Sequence, residues 1–307
     1  MNGPAIRVAR DDDQDGLTVL WATAFTPPLA PDQWLLDDER LARTFVAEDG
    51  DGLCGSIHGM TKRLREDDGI AEVLAIGSVA VAERARGRGL ARRLVAAALE
   101  RAGRAEWALL FTGTPEVYRS SGFEAFSMPR ILVGPWRAPA SSPDAGRVLR
   151  GTVGAGSLEA VREAYELSRE GRVVLAPVRG ERDWSMAEVR MNGATLYRAI
   201  EDDRTVAYAV ARIRGDVGIL LECAMVPGID HAADRWQELL GALAADWAAA
   251  GVASCESAVP ALPEEEHAIR AFAPEALRQE DSTGMIRPIR RAARVHGIRH
   301  FTEADYF

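Results

Sequence analysis

The chain has 307 residues, enough for two domains of ordinary size, with 47% hydrophobic and 27% charged residues. This composition is typical of a soluble globular protein, and no apolar run reaches the roughly 20 residues that cross a bilayer. The formal net charge of −9 argues against general nucleic-acid binding and favours a cationic substrate.

The cysteines and the amino terminus give no sign of export. Cys54, Cys223 and Cys255 are scattered and lack metal-type spacing, which indicates buried, reduced thiols. Residues 1–10 lack the apolar core of a signal peptide. We therefore expect a cytoplasmic protein with no membrane partner.

Residues 1–134 predict one domain of strands and helices. The three aspartates at 11–13 supply carboxylates for the first turn of a helix that Pro27-Pro28 ends, and Pro31 opens a second helix. Residues 49–52, Asp-Gly-Asp-Gly, predict a tight hairpin turn between two strands. In chain order the predicted elements are a strand at 5–10, two helices, strands at 44–48, 53–61 and 70–81, a helix at 89–102, a buried parallel strand at 107–112, a short helix at 115–121, and strands at 123–128 and 131–133.

A similar order of elements returns later in the chain, which indicates an internal duplication. Residues 135–151 are rich in proline, alanine, serine and glycine and predict a linker. Residues 152–307 predict a second domain. Its expected elements are a helix at 158–169, strands at 195–200, 205–214 and 217–226, a helix at 231–250 and a strand at 252–255.

One segment of the first domain has the composition of an anion-binding site. A strand of alternating valines ends at Val81 and leads through Arg86-Gly87-Arg88-Gly89 into an amphipathic helix. Glycine lets the backbone approach a ligand closely, and the first N–H groups of a helix have no partner within it. Those donors, the helix dipole and the arginines favour a bound phosphate. The P-loop signature does not occur, and Arg92 stands where a dinucleotide fingerprint has its third glycine.

These residues resemble the GNAT superfamily of N-acetyltransferases. Residues 84–89, Arg-Ala-Arg-Gly-Arg-Gly, match the family signature Arg/Gln-x-x-Gly-x-Gly/Ala, and residues 118–123 are similar to its Tyr-x-x-x-Gly-Phe motif. The resemblance covers about residues 6–133. It implies an α/β fold of two tandem GNAT-like domains, each with a mostly antiparallel mixed sheet, a splayed pair of parallel strands and flanking helices. The second domain lacks the signature, and Asp230 would repel a phosphate, so we expect it to have lost the cofactor site.

The resemblance also implies which residues bind acetyl-coenzyme A, the expected cosubstrate. The fourth strand pairs with the pantetheine arm and offers a free N–H to the oxyanion, and the arginine-glycine loop binds the pyrophosphate. The expected cofactor-binding residues are Val79, Ala80, Val81, Arg86, Gly87, Arg88, Gly89, Leu90, Ala91, Arg92, Gly113 and Thr114.

The catalytic groups are an acid and a base. Tyr118 is the expected acid, because a phenol with a pKa near 10 is still protonated at neutral pH, where it can donate to the departing thiolate. The base is left open among Glu72, Glu222 and the terminal carboxylate of Phe307. The aromatic end of the chain resembles that of tandem GNAT proteins of the enhanced-intracellular-survival type, whose terminal carboxylate points into the active site.

Three functions remain open at this point. The leading one is acetyl transfer from acetyl-coenzyme A to a primary amine, either a small molecule or a peptide. The second keeps the fold but uses another acyl group or a hydroxyl acceptor, and the third is a non-catalytic sensor or scaffold that binds acetyl-coenzyme A. We expect no metal, since Pro288 and Gly297 argue against the regular helix on which His296 and His300 would face one ion.

Overall fold

Two seven-stranded sheets and one two-stranded sheet organise the part of the chain that the computed structural model describes, which is residues 3–26, 29, 37–137, 148–258 and 262–307. The predicted stop at Pro27-Pro28, the helix opening at Pro31 and the middle of the predicted linker lie outside these residues.

The elements of the first half follow the predicted order closely. The strands are β1 (Ala5–Val8), β2 (Thr44–Asp49), β3 (Gly52–Glu66), β4 (Gly69–Val81), β5 (Trp107–Phe111), β6 (Glu124–Ala125) and β7 (Met128–Gly134), and the helices are α1 (Gln14–Ala24), α2 (Asp38–Ala42), α3 (Leu90–Glu100) and α4 (Glu116–Arg119). The predicted turn at 49–52 is confirmed, because Asp49 pairs with Gly52 at the end of the β2–β3 ladder.

The second half contains two helices that the sequence pattern did not predict. Its strands are β8 (Val148–Thr152), β9 (Val173–Val174), β10 (Thr195–Glu201), β11 (Arg204–Arg214), β12 (Val217–Met225), β13 (Ser254–Ser257), β14 (Leu277–Asp281), β15 (Gly284–Pro288) and β16 (Ile298–Arg299), and its helices are α5 (Arg162–Arg169), α6 (Glu181–Arg190), α7 (Ala232–Ala249) and α8 (Pro263–Phe272). The unpredicted helices are α6 and α8, whose buried side chains mix apolar and charged residues and so show no clear helical period.

Each large sheet takes one strand from the other half of the sequence. The first has the order β1-β2-β3-β4-β5-β15-β6, and the second β14-β7-β13-β12-β11-β10-β8. The strand expected at 131–133 was assigned to the first domain, but as β7 it pairs in the second sheet, where Leu132 is fully buried. The predicted boundaries at residues 134 and 152 therefore do not separate the two sheets. An apolar pattern indicates that a strand is buried, but it does not indicate which sheet the strand joins.

The mixed α/β character is confirmed in both large sheets. β5 runs parallel to β4, and β13 runs parallel to β12, while the other strand pairs of these two sheets are antiparallel. α3 covers the first sheet with Leu90, Leu94 and Ala98. α7 covers the second, where a Cβ on Gly218 would lie 2.5 Å from the Trp247 ring, so only glycine admits that close approach.

The three cysteines are buried and free, as expected, and burial raises the pKa of the Cys54 thiol to about 11. Within the described residues, no helix is both long and apolar enough to cross a membrane.

Candidate active site

β4 and β5 separate at the point where the cleft begins. Their parallel pairing runs from Val73 with Trp107 to Ile76 with Leu110 and ends there, although β4 continues to Val81. Beyond this point a cleft of about 790 Å³ opens between the end of β4, the start of α3 and α4. An antiparallel ladder uses every second amide of a strand, so alternate N–H groups of residues 77–81 face the gap rather than β3.

A bulge in β4 lies directly before the residues that line the cleft, Val79, Ala80 and Val81. Ser78 has a left-handed backbone with φ of 49°, and the β3–β4 register shifts at this point. Buried hydrogen bonds hold the strained residue: Ser56 Oγ donates to the Ser78 carbonyl at 3.1 Å and receives Trp21 Nε1 at 2.9 Å. Arg40 Nη2 donates to Ser78 Oγ at 3.0 Å. The surroundings thus maintain a strained backbone next to the gap, as is common at functional sites.

The arginine-glycine loop presents free amides to the cleft. Gly87 and Gly89 have φ of 74° and 70°, a conformation that favours glycine. Gly89 is the N-cap of α3, no side chain caps the helix, and its first turn holds no acidic residue. The Arg93 N–H donates to the Gly89 carbonyl at 3.2 Å, which is the first α-helical hydrogen bond of α3. The backbone N–H groups before Arg93 in that turn have no acceptor within the helix, so they remain available to an anion.

The structure brings ten of the twelve expected cofactor-binding residues to the cleft. The ten are Val79, Ala80, Val81, Arg86, Gly87, Gly89, Leu90, Ala91, Arg92 and Thr114. Arg88 and Gly113 are exposed and do not line it. Arg84 of the signature instead binds Asp49 at 3.1 Å and so fastens the loop to the β2–β3 hairpin.

Tyr118 lies in α4 and lines the same cleft. It is mostly buried, and loss of hydration raises the pKa of its phenol to about 12, so it is protonated at neutral pH. Its ring packs edge-on against Phe123 with centroids 6.3 Å apart. No described residue forms a hydrogen bond with the hydroxyl, which leaves it free to donate to a ligand.

The three base candidates lie in different places. Glu72 is exposed on β4, seven residues before Val79 and hence roughly 23 Å away along the strand. Glu222 is fully buried and receives Arg179 at 2.5 Å and the Tyr208 hydroxyl at 2.7 Å. Both positions argue against a role as the base.

Phe307, at the far end of the chain, packs against Gly77 of β4. It is buried, and a Cβ built on Gly77 would overlap its carbonyl oxygen and lie 2.6 Å from its carbonyl carbon. The last residue therefore occupies the space of the missing Gly77 side chain, next to the Ser78 bulge. Its ring lies near Phe111 and Phe301, with centroids 6.1 Å away in each case.

A buried ion cluster anchors this C-terminal segment, and the sequence analysis missed it. Arg179 donates to Asp305 at 2.8 and 3.0 Å and to Glu222 at 3.1 and 2.5 Å, and the side chains of all three are nearly inaccessible. Thr302 Oγ1 donates to Asp305 at 2.9 Å. A single arginine in a loop carries no local signal, since its partners lie more than 40 residues away.

The two histidines with i, i+4 spacing do not come together. His296 is exposed and its Nδ1 lies 2.7 Å from Asp67 Oδ2, whereas His300 is buried. The described residues contain no group of three or more side chains that could hold a metal ion.

The second sheet repeats the strand separation but fills the gap. β12 pairs with β13 only from Val217 to Leu220. Phe301 and Tyr306 of the C-terminal segment close the space beyond, leaving a cavity of about 70 Å³. At the start of α7, His231 is the N-cap and Asp234 lies in the first turn, an arrangement that disfavours an anion.

Comparison with known proteins finds the same architecture elsewhere. Residues 5–126 match the family model described as "Acetyltransferase (GNAT) domain". No curated protein sequence matches the chain. Similar solved structures include a GCN5-related N-acetyltransferase from Kribbella flavida, at 19% identity and a TM-score of 0.68 over 94% of this chain and 72% of that one.

Two further structures extend the likeness in fold. A conserved protein of unknown function and probable N-acyltransferase from Enterococcus faecalis V583 has 14% identity and a TM-score of 0.70, covering 94% of this chain and 73% of its own. Eis1 from Mycobacterium abscessus has 17% identity and a TM-score of 0.63, covering 93% of this chain and 74% of its own. Each of the three matches extends over both large sheets of this chain.

Proposed function

We propose, from the match of residues 5–126 to the GNAT acetyltransferase domain model, that the chain transfers an acetyl group from acetyl-coenzyme A to a primary amine by direct attack in a ternary complex. The observation that carries the proposal is the cleft itself. It joins free amides at the start of α3, an unpaired edge of β4 and an uncommitted phenol at Tyr118.

The cleft suits an extended molecule with a diphosphate at one end. The amides of the Gly87–Gly89 loop and the first turn of α3 receive the diphosphate, with Arg92 adding positive charge. The unpaired edge of residues 77–81 receives the pantetheine amides as a neighbouring strand would. The thioester then lies beside the Ser78 bulge.

The reaction forms a C–N bond and breaks a C–S bond. The amine nitrogen attacks the thioester carbon, and a β4 amide that faces the gap stabilises the negative oxygen. The thiolate leaves and takes the proton of Tyr118. The terminal carboxylate of Phe307, beside Gly77, takes the proton that the amine loses.

The glycine loop provides the direct test of cosubstrate binding. Gly87→Val places a β-branched residue at φ of 74°, so the loop must shift and its amides no longer converge on a diphosphate. We expect the Kd of acetyl-coenzyme A, measured by calorimetry, to rise about tenfold or more.

Gly103→Val is the matched control. Gly103 also has a left-handed backbone, with φ of 59°, and neither glycine has an atom within 4 Å of a built Cβ. It follows α3 and so lies roughly 16 Å or more from the loop. Equal loss of affinity in both variants, or no uptake by the wild type, would contradict the proposed function.

Gly77→Ala tests the position of Phe307. A methyl group there overlaps the Phe307 carbonyl, so the terminal residue must move. Misplacing a catalytic group by about 1 Å can cost up to a hundredfold, and we expect kcat to fall by about tenfold to a hundredfold while the Kd of acetyl-coenzyme A changes little. Gly151→Ala, at a position with open space, should behave as the wild type in thiol release. Unchanged kcat in Gly77→Ala would exclude Phe307 as the base.

A further inference from the structure

A second groove continues from the cleft along α3, and we call it the α3 groove. It has a volume of about 600 Å³ and is lined by Arg92, Ala96 and Glu100 of α3, by Ser120 and Gly122 after α4, and by Arg287 of β15. Arg92 and Ser120 also line the cleft, so the two spaces share a wall. No step of the mechanism above uses the α3 groove.

The α3 groove leads away from the arginine-glycine loop. α3 begins at Leu90, and Arg92, Ala96 and Leu99 follow one another at spacings of four and three residues, which places them on one face of the helix. Ala96 lies roughly 9 Å beyond Leu90 along the helix axis. A molecule whose diphosphate is bound at the start of α3 can therefore place the nucleoside that follows the diphosphate in this groove.

Arg287 reaches the α3 groove from the second half of the chain. Met285, two residues earlier on β15, is buried in the core beneath α3. Alternate residues of a strand point to the same face, so Arg287 also points toward α3. A Cβ built on Gly122 would lie 3.3 Å from Arg287 Nε, so the arginine side chain uses the room that the glycine leaves.

Arg287 is half-buried, and among the described residues it forms neither an ion pair nor a side-chain hydrogen bond. Arg291, four residues later in the chain, is paired with both Glu66 and Glu106. A guanidinium holds its five N–H donors in a fixed fork, which matches the oxygens of a phosphate group. The Arg287 fork is therefore available to an anion that comes from outside the chain.

The diphosphate of the cosubstrate has other binding groups than Arg287. The amides at the start of α3 face it, and Arg92 Nη2 lies 4.0 Å from a Cβ built on Gly89, close to the same loop. Arg287 lies instead beside Gly122. An anion at Arg287 is thus a separate phosphate, and coenzyme A carries one as a monoester on the 3′ oxygen of its ribose.

The rest of the α3 groove fits the remainder of a nucleoside. Ala96 and Leu99 provide an apolar surface for the base. Glu100 lies eight residues after Arg92, roughly 12 Å farther along α3, and does not pair with Arg287. Its carboxylate repels a phosphate and accepts a hydrogen bond from an amino group, such as that of adenine.

We propose, building on the proposed function, that Arg287 binds the 3′-phosphate of acetyl-coenzyme A and thereby makes the protein prefer coenzyme A to 3′-dephospho-coenzyme A. The adenosine lies along α3, with its base against Ala96 and Leu99. Arg287 stands on the strand that the second half of the chain contributes to the first sheet. Both halves of the sequence therefore supply residues to the cosubstrate site.

The test combines two proteins with two ligands. Calorimetry measures the Kd of coenzyme A and of 3′-dephospho-coenzyme A for the wild type and for Arg287→Gln, which removes the charge and the fork. The wild type should bind coenzyme A about tenfold more tightly than the dephospho form. Arg287→Gln should lose most of this preference, and its Kd for the dephospho form should stay near that of the wild type.

Arg214→Gln is the matched control. It removes one positive charge from an arginine that is 72% exposed at the end of β11, in the second sheet. Any effect of net charge on ligand binding acts in both variants, whereas the contact with the 3′-phosphate is lost only in Arg287→Gln. Arg214→Gln should therefore keep the wild-type preference for coenzyme A.

The outcomes distinguish this inference from the proposed function. Equal Kd values of the two ligands in the wild type, or a preference that survives in Arg287→Gln, would overturn the assignment of Arg287 and leave acetyl transfer intact. If the wild type bound neither ligand, the proposed function itself would be wrong.

A further measurement observes the phosphate directly. A phosphate monoester loses its second proton near pH 6, and a bound guanidinium favours the dianion. In phosphorus-31 NMR of coenzyme A bound to the wild type, the 3′-phosphate resonance should titrate at lower pH than in the free ligand. In Arg287→Gln the midpoint should return toward the free value. A midpoint that is the same in both proteins would overturn the inference.

Discussion

Replacing Tyr118 by phenylalanine should lower kcat by about a hundredfold to ten-thousandfold and leave the Kd of acetyl-coenzyme A nearly unchanged. The substitution removes one oxygen from the cleft wall and keeps the ring that packs against Phe123. Because no described residue bonds the hydroxyl, its loss strands no buried partner, and the fold should be preserved. Thiol release under saturating amine, with calorimetry for the cosubstrate, measures the two quantities.

Tyr197→Phe is the control for this experiment. Tyr197 is also buried, but its hydroxyl bonds Asp246 at 2.7 Å in the second sheet, away from the cleft. That variant should lose a little stability and keep its kcat. Turnover near the wild-type level in Tyr118→Phe would mean that another group protonates the thiolate. Tight acetyl-coenzyme A binding without thiol release from the wild type would favour the sensor function.

The raised pKa of Tyr118 also predicts a pH profile. Burial favours the protonated phenol up to about pH 12, so kcat should show no alkaline decline from this group when measured up to about pH 10. A decline with a midpoint near 9 in the wild type that is absent from Tyr118→Phe would contradict the burial of this residue.

Replacing Arg179 by methionine should lower the free energy of unfolding by about 3–5 kcal/mol. Asp305 and Glu222 would remain buried without their counter-charge. The Arg179 guanidinium carbon lies 4.1 Å from the ring centroid of Tyr165 and 4.7 Å from that of Trp184. Methionine keeps part of the apolar contact with these ring faces. Urea unfolding followed by tryptophan fluorescence gives the difference.

The same substitution should reduce turnover, because Asp305 lies two residues before Phe307 and Arg179 holds it. Arg204→Met is the control: this arginine is 65% exposed and paired with Glu163, and its loss should cost less than about 1 kcal/mol. Adding Glu222→Gln to Arg179→Met should recover part of the stability, since one of the two unpaired charges is removed. Equal unfolding energies for the Arg179 and Arg204 variants would refute the anchoring role.

This cluster also gives a sign for the pH dependence of stability. Burial opposes ionisation of Asp305, but the charge and hydrogen bonds of Arg179 outweigh it and lower the pKa of that carboxyl below its ordinary 3.8. The stabilisation is therefore present above the ordinary pKa and is lost as the pH falls through the lowered one. In Arg179→Met, the loss of unfolding free energy at low pH should be smaller than in the wild type.

Two features of the candidate site follow directly from neighbouring residues. The loop at 86–89 and the helix after it are continuous in the chain, so glycine freedom and free helix amides act together wherever that segment lies. The hairpin at 49–52 and the buried parallel strand at 107–112 are likewise local patterns, and both agree with the structure.

The position of the proposed base is of a different kind. Gly77 and Phe307 are 230 positions apart, and nothing near either residue indicates that they touch. Glu222 looked as suitable as Phe307 until its bonds to Arg179 and Tyr208 were visible.

The sequence alone determined the anion-binding loop, the tyrosine in the short helix after β5 and the mixed α/β fold, because each depends on residues a few positions apart. Only the tertiary structure decided that β7 and β15 exchange sheets, that Arg179 anchors the C-terminal segment and that Phe307 lies against Gly77. The reason is physical: strand partners and buried ion pairs are selected by packing between distant segments, and a local pattern records which side is buried but not what covers it.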